Sequence, residues 1–202
     1  MVAGSNPARR TNYMINILFL ARPGAGKGTQ AELLAKKFNL LHLSSGDLLR
    51  QEVMSGSALG QKIKAIQISG QLVSDDLIIE MIKNQLEANP GVPGFIFDGF
   101  PRTAKQAIAL DEMLIKKNCP LNLVIVLEIT PTEMLKRLLK RAEIEGRHDD
   151  NEKTIKARGA VYDEQTEPVI SHYATQNKVV IIDGSPTIPE IAAEIEKVVA
   201  RL

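Results

Sequence analysis

Lys27 follows a glycine-rich stretch, Ala21-Arg22-Pro23-Gly24-Ala25-Gly26, and precedes Gly28 and Thr29. These residue types at this spacing suit the binding of nucleotide phosphates. Bunched backbone N–H groups and the positive end of a following helix dipole attract anionic oxygen. The lysine reaches the outer phosphates, and a hydroxyl can approach a magnesium ion. The pattern departs from G-x-x-x-x-G-K-[ST] at two points. Ala21 stands where the first glycine should be, and the hydroxyl comes one residue late, at Thr29. Without suitable flanks the stretch would be a glycine-rich turn with a surface lysine. The flanks are an apolar run, residues 15–20, and a helix-like run, residues 30–38, as a phosphate loop requires.

Two further blocks follow apolar runs. Asp98-Gly99-Phe100-Pro101-Arg102-Thr103 comes directly after residues 94–97. An aspartate at the end of a buried strand beside a phosphate loop can hold magnesium, usually through water. Arg102 offers a planar five-donor fork suited to phosphate oxygens. An ordinary Asp-Gly turn with a surface arginine is the plainer alternative. In His42-Leu43-Ser44-Ser45-Gly46-Asp47-Leu48-Leu49-Arg50, Ser45 and Arg50 are placed to face a ligand across the first turns of a helix. Asp47 complements the helix dipole. His42 reads as a packed histidine on a strand, and His42, His148 and His172 lack metal-like spacing.

Positive charge concentrates at Arg137, Arg141, Arg147 and Arg158. Arg137 and Arg141 are four apart and share a helix face. Residues 143–151 contain Gly146 and Asp149-Asp150 and read as a short loop between helices. Arginines around a loop suggest a lid over phosphates. Glu143, Glu145, Asp149, Asp150 and Glu152 balance them, so a solvated, charge-mixed face fits the spacing as well.

Positioning these groups falls to alternating elements. Apolar runs at 15–20, 40–43, 95–97, 123–129 and 179–182 are continuous rather than alternating, which suits a parallel sheet covered on both faces. Helix-like segments separate them at 29–38, 46–53, 59–68, 75–87, 104–117, 132–143, 151–175 and 189–199. The pattern predicts a doubly wound α/β sheet, with ligands at the carboxyl ends of its strands. The length of 202 residues and the hydrophobic fraction of 44% fit one medium domain. A net charge of +1 gives no sign of a nucleic-acid surface. The single cysteine, Cys119, excludes an internal disulfide framework and a cysteine-rich zinc site, and points to a reducing compartment. No apolar run approaches ~18 residues, so no membrane span is expected. Residues 1–13 read as a disordered extension or tag remnant, or a short transit peptide, with Met14 a candidate natural start.

Five blocks in order, PGAGKGTQ, HLSSGDLLR, GQLVSD, FDGFPRT and GRHDDNEKTIKAR, give the chain from Met14 to Leu202 its resemblance to the adenylate kinases of the short-lid type. The resemblance implies a P-loop core of five parallel strands (14–43, 74–139, 151–202), an NMP-binding arm (44–73) and a lid (140–150). It implies reversible transfer of the ATP γ-phosphoryl group to AMP, giving two ADP, by a cytoplasmic monomer that binds no nucleic acid or membrane. Gly24, Ala25, Gly26, Lys27, Gly28, Thr29, Arg137, Arg141 and Gly184 are the implied ATP contacts. Ser45, Arg50, Gln71, Leu72, Val73, Gly99, Phe100, Pro101, Arg102, Gln106, Arg147 and Arg158 are those for AMP. Lys27, Arg102, Arg141, Arg147 and Arg158 carry catalysis, and Asp98 holds Mg2+ through water. The lid leaves no room for a structural zinc subdomain.

UMP/CMP kinases resemble the same scaffold. Ser45, Thr103 and Gln106 favour AMP over that alternative. A catalytically weak nucleotide-binding module is the other alternative, motivated by Ala21 and Arg22. Alanine is tolerated there if the backbone does not need positive φ. Arg22 reads as a solvated side chain, with added charge near a triphosphate as the competing reading.

Overall fold

The computed structural model describes residues 14–145 and 151–202. The N-terminal stretch 1–13 and part of the expected lid, 146–150, lie outside the described residues. Five strands, β1 (Ile15–Ala21), β2 (Leu41–Ser44), β3 (Gly94–Asp98), β4 (Leu123–Glu128) and β5 (Val179–Asp183), form one sheet. All pairings are parallel, in the order β2-β3-β1-β4-β5. The expected doubly wound P-loop architecture is therefore present.

The helices are α1 (Lys27–Phe38), α2 (Ser45–Met54), α3 (Ala58–Ser69), α4 (Asp75–Ala88), α5 (Ala104–Lys116), α6 (Pro131–Glu145), α7 (Glu152–Val161), α8 (Glu167–Ala174) and α9 (Ile188–Val199). The apolar runs are continuous because both faces of the sheet are covered. Leu18, Leu20, Phe95, Phe97, Val124 and Val126 pack against α4, α5 and α8. Ile17, Phe19, Ile96, Ile125 and Leu127 face α1 and α9. On α9 the buried residues are Ile191, Ile195 and Val199, spaced to form a single stripe. Burial of each large apolar side chain contributes about 1.5–3 kcal/mol. Among the described residues, no helix is long and apolar enough to cross a membrane.

Most elements depart from their sequence-based bounds by no more than two residues. The expected helix 151–175 does not hold as one piece. It divides into α7, a π-helical turn (Tyr162–Thr166) and α8. The Glu167 N–H bonds to the Tyr162 carbonyl, five residues back. Pro168 at the start of α8 has no N–H to donate, so an α-helical ladder cannot run through it.

Because all strands run one way, their carboxyl ends share one edge of the sheet. Ala21 leads into the phosphate loop there, Ser44 into α2, and Asp98 into the turn before α5. Asp98 pairs in register with Phe19 on one side and Ser44 on the other. Three separate sequence blocks thereby meet along one edge.

Candidate active site

A cleft of about 660 Å³ opens at this edge. Its first wall is the phosphate loop. Gly24 and Gly26 have φ of 81° and 84°, a region that L side chains rarely adopt, and Gly26 caps α1 from that conformation. Ala21 ends β1 without positive φ, so no glycine is needed there. Ala25, Gly28 and Thr29 also line the cleft.

Lys27 is ion-paired with Asp98, the last residue of β3. Burial, and then the positive charges of Arg102, Arg158, Arg141 and Arg50, pull its ammonium down to about 7. The Asp98 carboxylate opposes that pull, so burial and crowded cations set the direction. Arg102 is lowered to about 10, first by burial, then by Arg158 and Arg50. Like charges held this close store repulsion that a polyanion would relieve.

The second wall holds Ser45 and Arg50 on α2, with Gln71, Leu72 and Val73 after α3. Asp47 does more than complement a dipole, because it pairs with Arg50. Gly99, Pro101, Arg102 and Gln106 line the cleft between the walls. Arg102 is held at three points. Its Nε donates to the Gly99 carbonyl at 2.8 Å, its backbone N–H to Gln106 Oε1 at 2.7 Å, and its carbonyl accepts from Thr166 Oγ1 at 3.1 Å. Gln106 Nε2 donates in turn to Asp75 Oδ1 at 2.7 Å, which fixes the orientation of the amide.

Arg137, Arg141 and Arg158 also line the cleft. Arg137 donates to the carbonyls of Gly184 (2.8 Å) and Ser185 (3.0 Å) and to Glu133 Oε1 (2.7 Å). These three bonds fix the plane of its guanidinium against the turn after β5.

Two expected contacts stand apart from the cleft lining. Phe100 is fully buried and packs in the core on the α4–α5 face of the sheet. A motif position is no guide to where an apolar ring goes when a core lies adjacent. Gly184 lies beside the loop, where an added Cβ would stand 3.4 Å from the Ala25 carbonyl oxygen. Arg147 lies outside the described residues.

A family model described as "Adenylate kinase" matches residues 19–178. The chain belongs to the adenylate kinase family. A protein of Parabacteroides distasonis named "Adenylate kinase" is 43% identical over 186 residues, covering 92% of this chain and 98% of its own. One of the same name from a Synechococcus species is 45% identical, covering 91% and 98%. A third, from Thermus thermophilus, is 44% identical, covering 89% and 94%.

Adenylate kinase membership also implies magnesium, and the residues present fit it. Asp98 is a buried carboxylate, 6% exposed, and Thr29 adds a hydroxyl on the same cleft. One carboxylate, one hydroxyl and nucleotide phosphates form the all-oxygen set that magnesium takes while keeping several waters.

For two residues the sequence did not show the partners. His42 Nε2 lies 3.2 Å from Asp98 Oδ2, and burial, then the charge of Lys27, lowers its pKa. Cross-strand register, which spacing does not reveal, brings the two together. Arg22, which the sequence suggests is solvated, has two partners. It is ion-paired with Asp163, and its Cζ lies 5.3 Å from the centroid of the Tyr162 ring.

Proposed function

We propose that the protein transfers the terminal phosphoryl group of Mg-ATP to AMP, reversibly, giving two ADP. One observation carries this reading. A phosphate loop with Lys27 and a second cationic set, Arg50 and Arg102, face the same cleft, with Arg141 and Arg158 on its wall. A cleft built for one nucleotide needs only the first set.

The chemistry needs in-line positioning and neutralised charge rather than a covalent intermediate. Backbone N–H groups from Gly24 to Thr29 hold the triphosphate, and Lys27 leaves Asp98 for the phosphates. Arg137 presents its guanidinium face to the ATP base, beside Gly184. Arg50 and Arg102 hold the AMP phosphate, with Ser45 alongside. Gln71, Leu72, Val73, Gly99 and Pro101 shape the AMP base pocket, and Gln106 offers its remaining amide N–H to adenine. Phe100 supports that wall from the core.

Arg141, Arg147 and Arg158 neutralise the moving group, whose charge spreads over its equatorial oxygens. Asp98, through water, and Thr29 would hold magnesium, which would supply charge neutralisation at the phosphates. The arm 44–73 and the lid 140–150 exclude water, which would otherwise divert the reaction to hydrolysis. The protein acts as a cytoplasmic monomer on free nucleotides.

The test is ATP with magnesium and each of AMP, GMP, UMP and CMP, scored for diphosphate. AMP is expected to react fastest. Faster reaction with UMP or CMP would make it a pyrimidine monophosphate kinase. ATP binding without diphosphate from any acceptor would make it a binding module.

A further inference from the structure

Arg22 immediately follows β1, at the entry to the phosphate loop. Its guanidinium makes two contacts of different kinds with two successive residues. It is ion-paired with Asp163, and it lies over the Tyr162 ring. An ion pair and a cation–π contact together hold the guanidinium to two adjacent residues of one segment. The pairing also balances the charge of Arg22, so it is not simply one more cation beside the triphosphate.

Both partners belong to the π-helical turn, and that turn reaches the other half of the cleft. At its far end Thr166, which is buried, donates from Oγ1 to the Arg102 carbonyl at 3.1 Å. Just before it, α7 carries Arg158 one helical turn ahead of Tyr162. The turn thus touches the phosphate loop through Arg22 and the acceptor side through Arg102, and it leads from Arg158. π-helical turns recur at functional sites.

We propose that Arg22 is a positioning residue for phosphoryl transfer: it fastens the turn at 162–166 to the phosphate loop, and so sets Arg158 and Arg102 against Lys27. This rests on the reading of the cleft as a phosphoryl-transfer site. Arg22 touches neither nucleotide in this account. Its effect passes through Asp163 and Tyr162.

The test is a double-mutant cycle of Arg22→Met and Asp163→Asn. Turnover, KM for each nucleotide and thermal unfolding are measured. So is calorimetric affinity for a bisubstrate mimic, two adenosines joined by five phosphates. Each single variant should lose about tenfold in kcat and in mimic affinity, with KM for ATP little changed, because a small misplacement of charged groups is enough. The double variant should lose no more than the worse single one, and Arg22→Lys, which keeps the ion pair, should recover part of the loss.

Losses that multiply, or no loss at all, would overturn the proposal. So would a raised KM for ATP in Arg22→Met that Asp163→Asn does not share, which would make Arg22 a direct phosphate ligand. If Arg22→Met unfolds, Tyr162→Leu removes the cation–π contact alone and should give a smaller loss of the same kind, whereas unchanged kcat there would refute the brace. A wild-type chain that binds the mimic but forms no ADP would refute the proposed function, and the binding cycle would still decide the role of Arg22.

Discussion

Replacing Gly99 with alanine separates two effects that meet at one residue. Gly99 has φ of 76°, and holding an L residue in that region costs about 1–2 kcal/mol. For a chain of this size that corresponds to a fall in Tm of about 2–8 °C. The second effect is steric. An added Cβ would stand 2.7 Å from Ser45 Oγ and 2.9 Å from Arg102 Nη2, closer than carbon and these atoms can approach. Both groups must move, and both are proposed AMP ligands. Displacement of about 1 Å at such a site costs up to about a hundredfold, so KM for AMP should rise tenfold to a hundredfold while KM for ATP changes little.

Gly56→Ala is the matched control. Its φ is 72°, and an added Cβ would meet nothing within 4 Å. It should show a similar fall in Tm with an unaltered KM for AMP. Steady-state kinetics with AMP varied, alongside thermal unfolding of both variants, decides the matter. Equal KM values for AMP in Gly99→Ala and Gly56→Ala would refute the reasoning.

Lys27→Met should lower turnover by about a hundredfold to a thousandfold, because transition-state charge would go unpaired; near-normal turnover would remove Lys27 from the site. Lys27 also predicts a proton effect. Its amine sits at about 7 in the nucleotide-free cleft, below the ordinary 10.5, and a triphosphate pushes it back up. ATP binding therefore takes up protons above about pH 7, and affinity weakens as pH rises through that range. Calorimetry in buffers of different ionisation enthalpy should show this in wild type and not in Lys27→Met; the same uptake in both would contradict it. Gly60→Ala should force α2 and α3 apart, since an added Cβ would stand 2.3 Å from the Glu52 carbonyl oxygen. Overpacking of this kind costs about 1–3 kcal/mol, and an unchanged Tm would contradict the close crossing.

The sheet was legible because its strands are buried on both faces and therefore read as unbroken apolar runs. The phosphate loop was legible because its glycines and Lys27 are consecutive. What escaped depends on contacts through space. Arg22 and Asp163 are distant in sequence, and nothing in either local pattern pairs them. His42 meets Asp98 only because β2 and β3 are neighbours in register. Phe100 was assigned by motif, yet its ring belongs to the core. The break at Tyr162–Thr166 did leave a signal, since Pro168 lies inside the segment expected to be one helix. Its missing N–H was enough to predict the interruption.

The central claim is that one cleft holds both nucleotides and passes a phosphoryl group between them without admitting water. Phosphorus NMR of the wild-type protein with ATP, AMP and magnesium tests it most directly. Two ADP should appear for each ATP consumed, without inorganic phosphate, and ADP alone should return ATP and AMP in equal amounts. Release of inorganic phosphate without ADP from AMP, or an unchanging spectrum, would contradict the account.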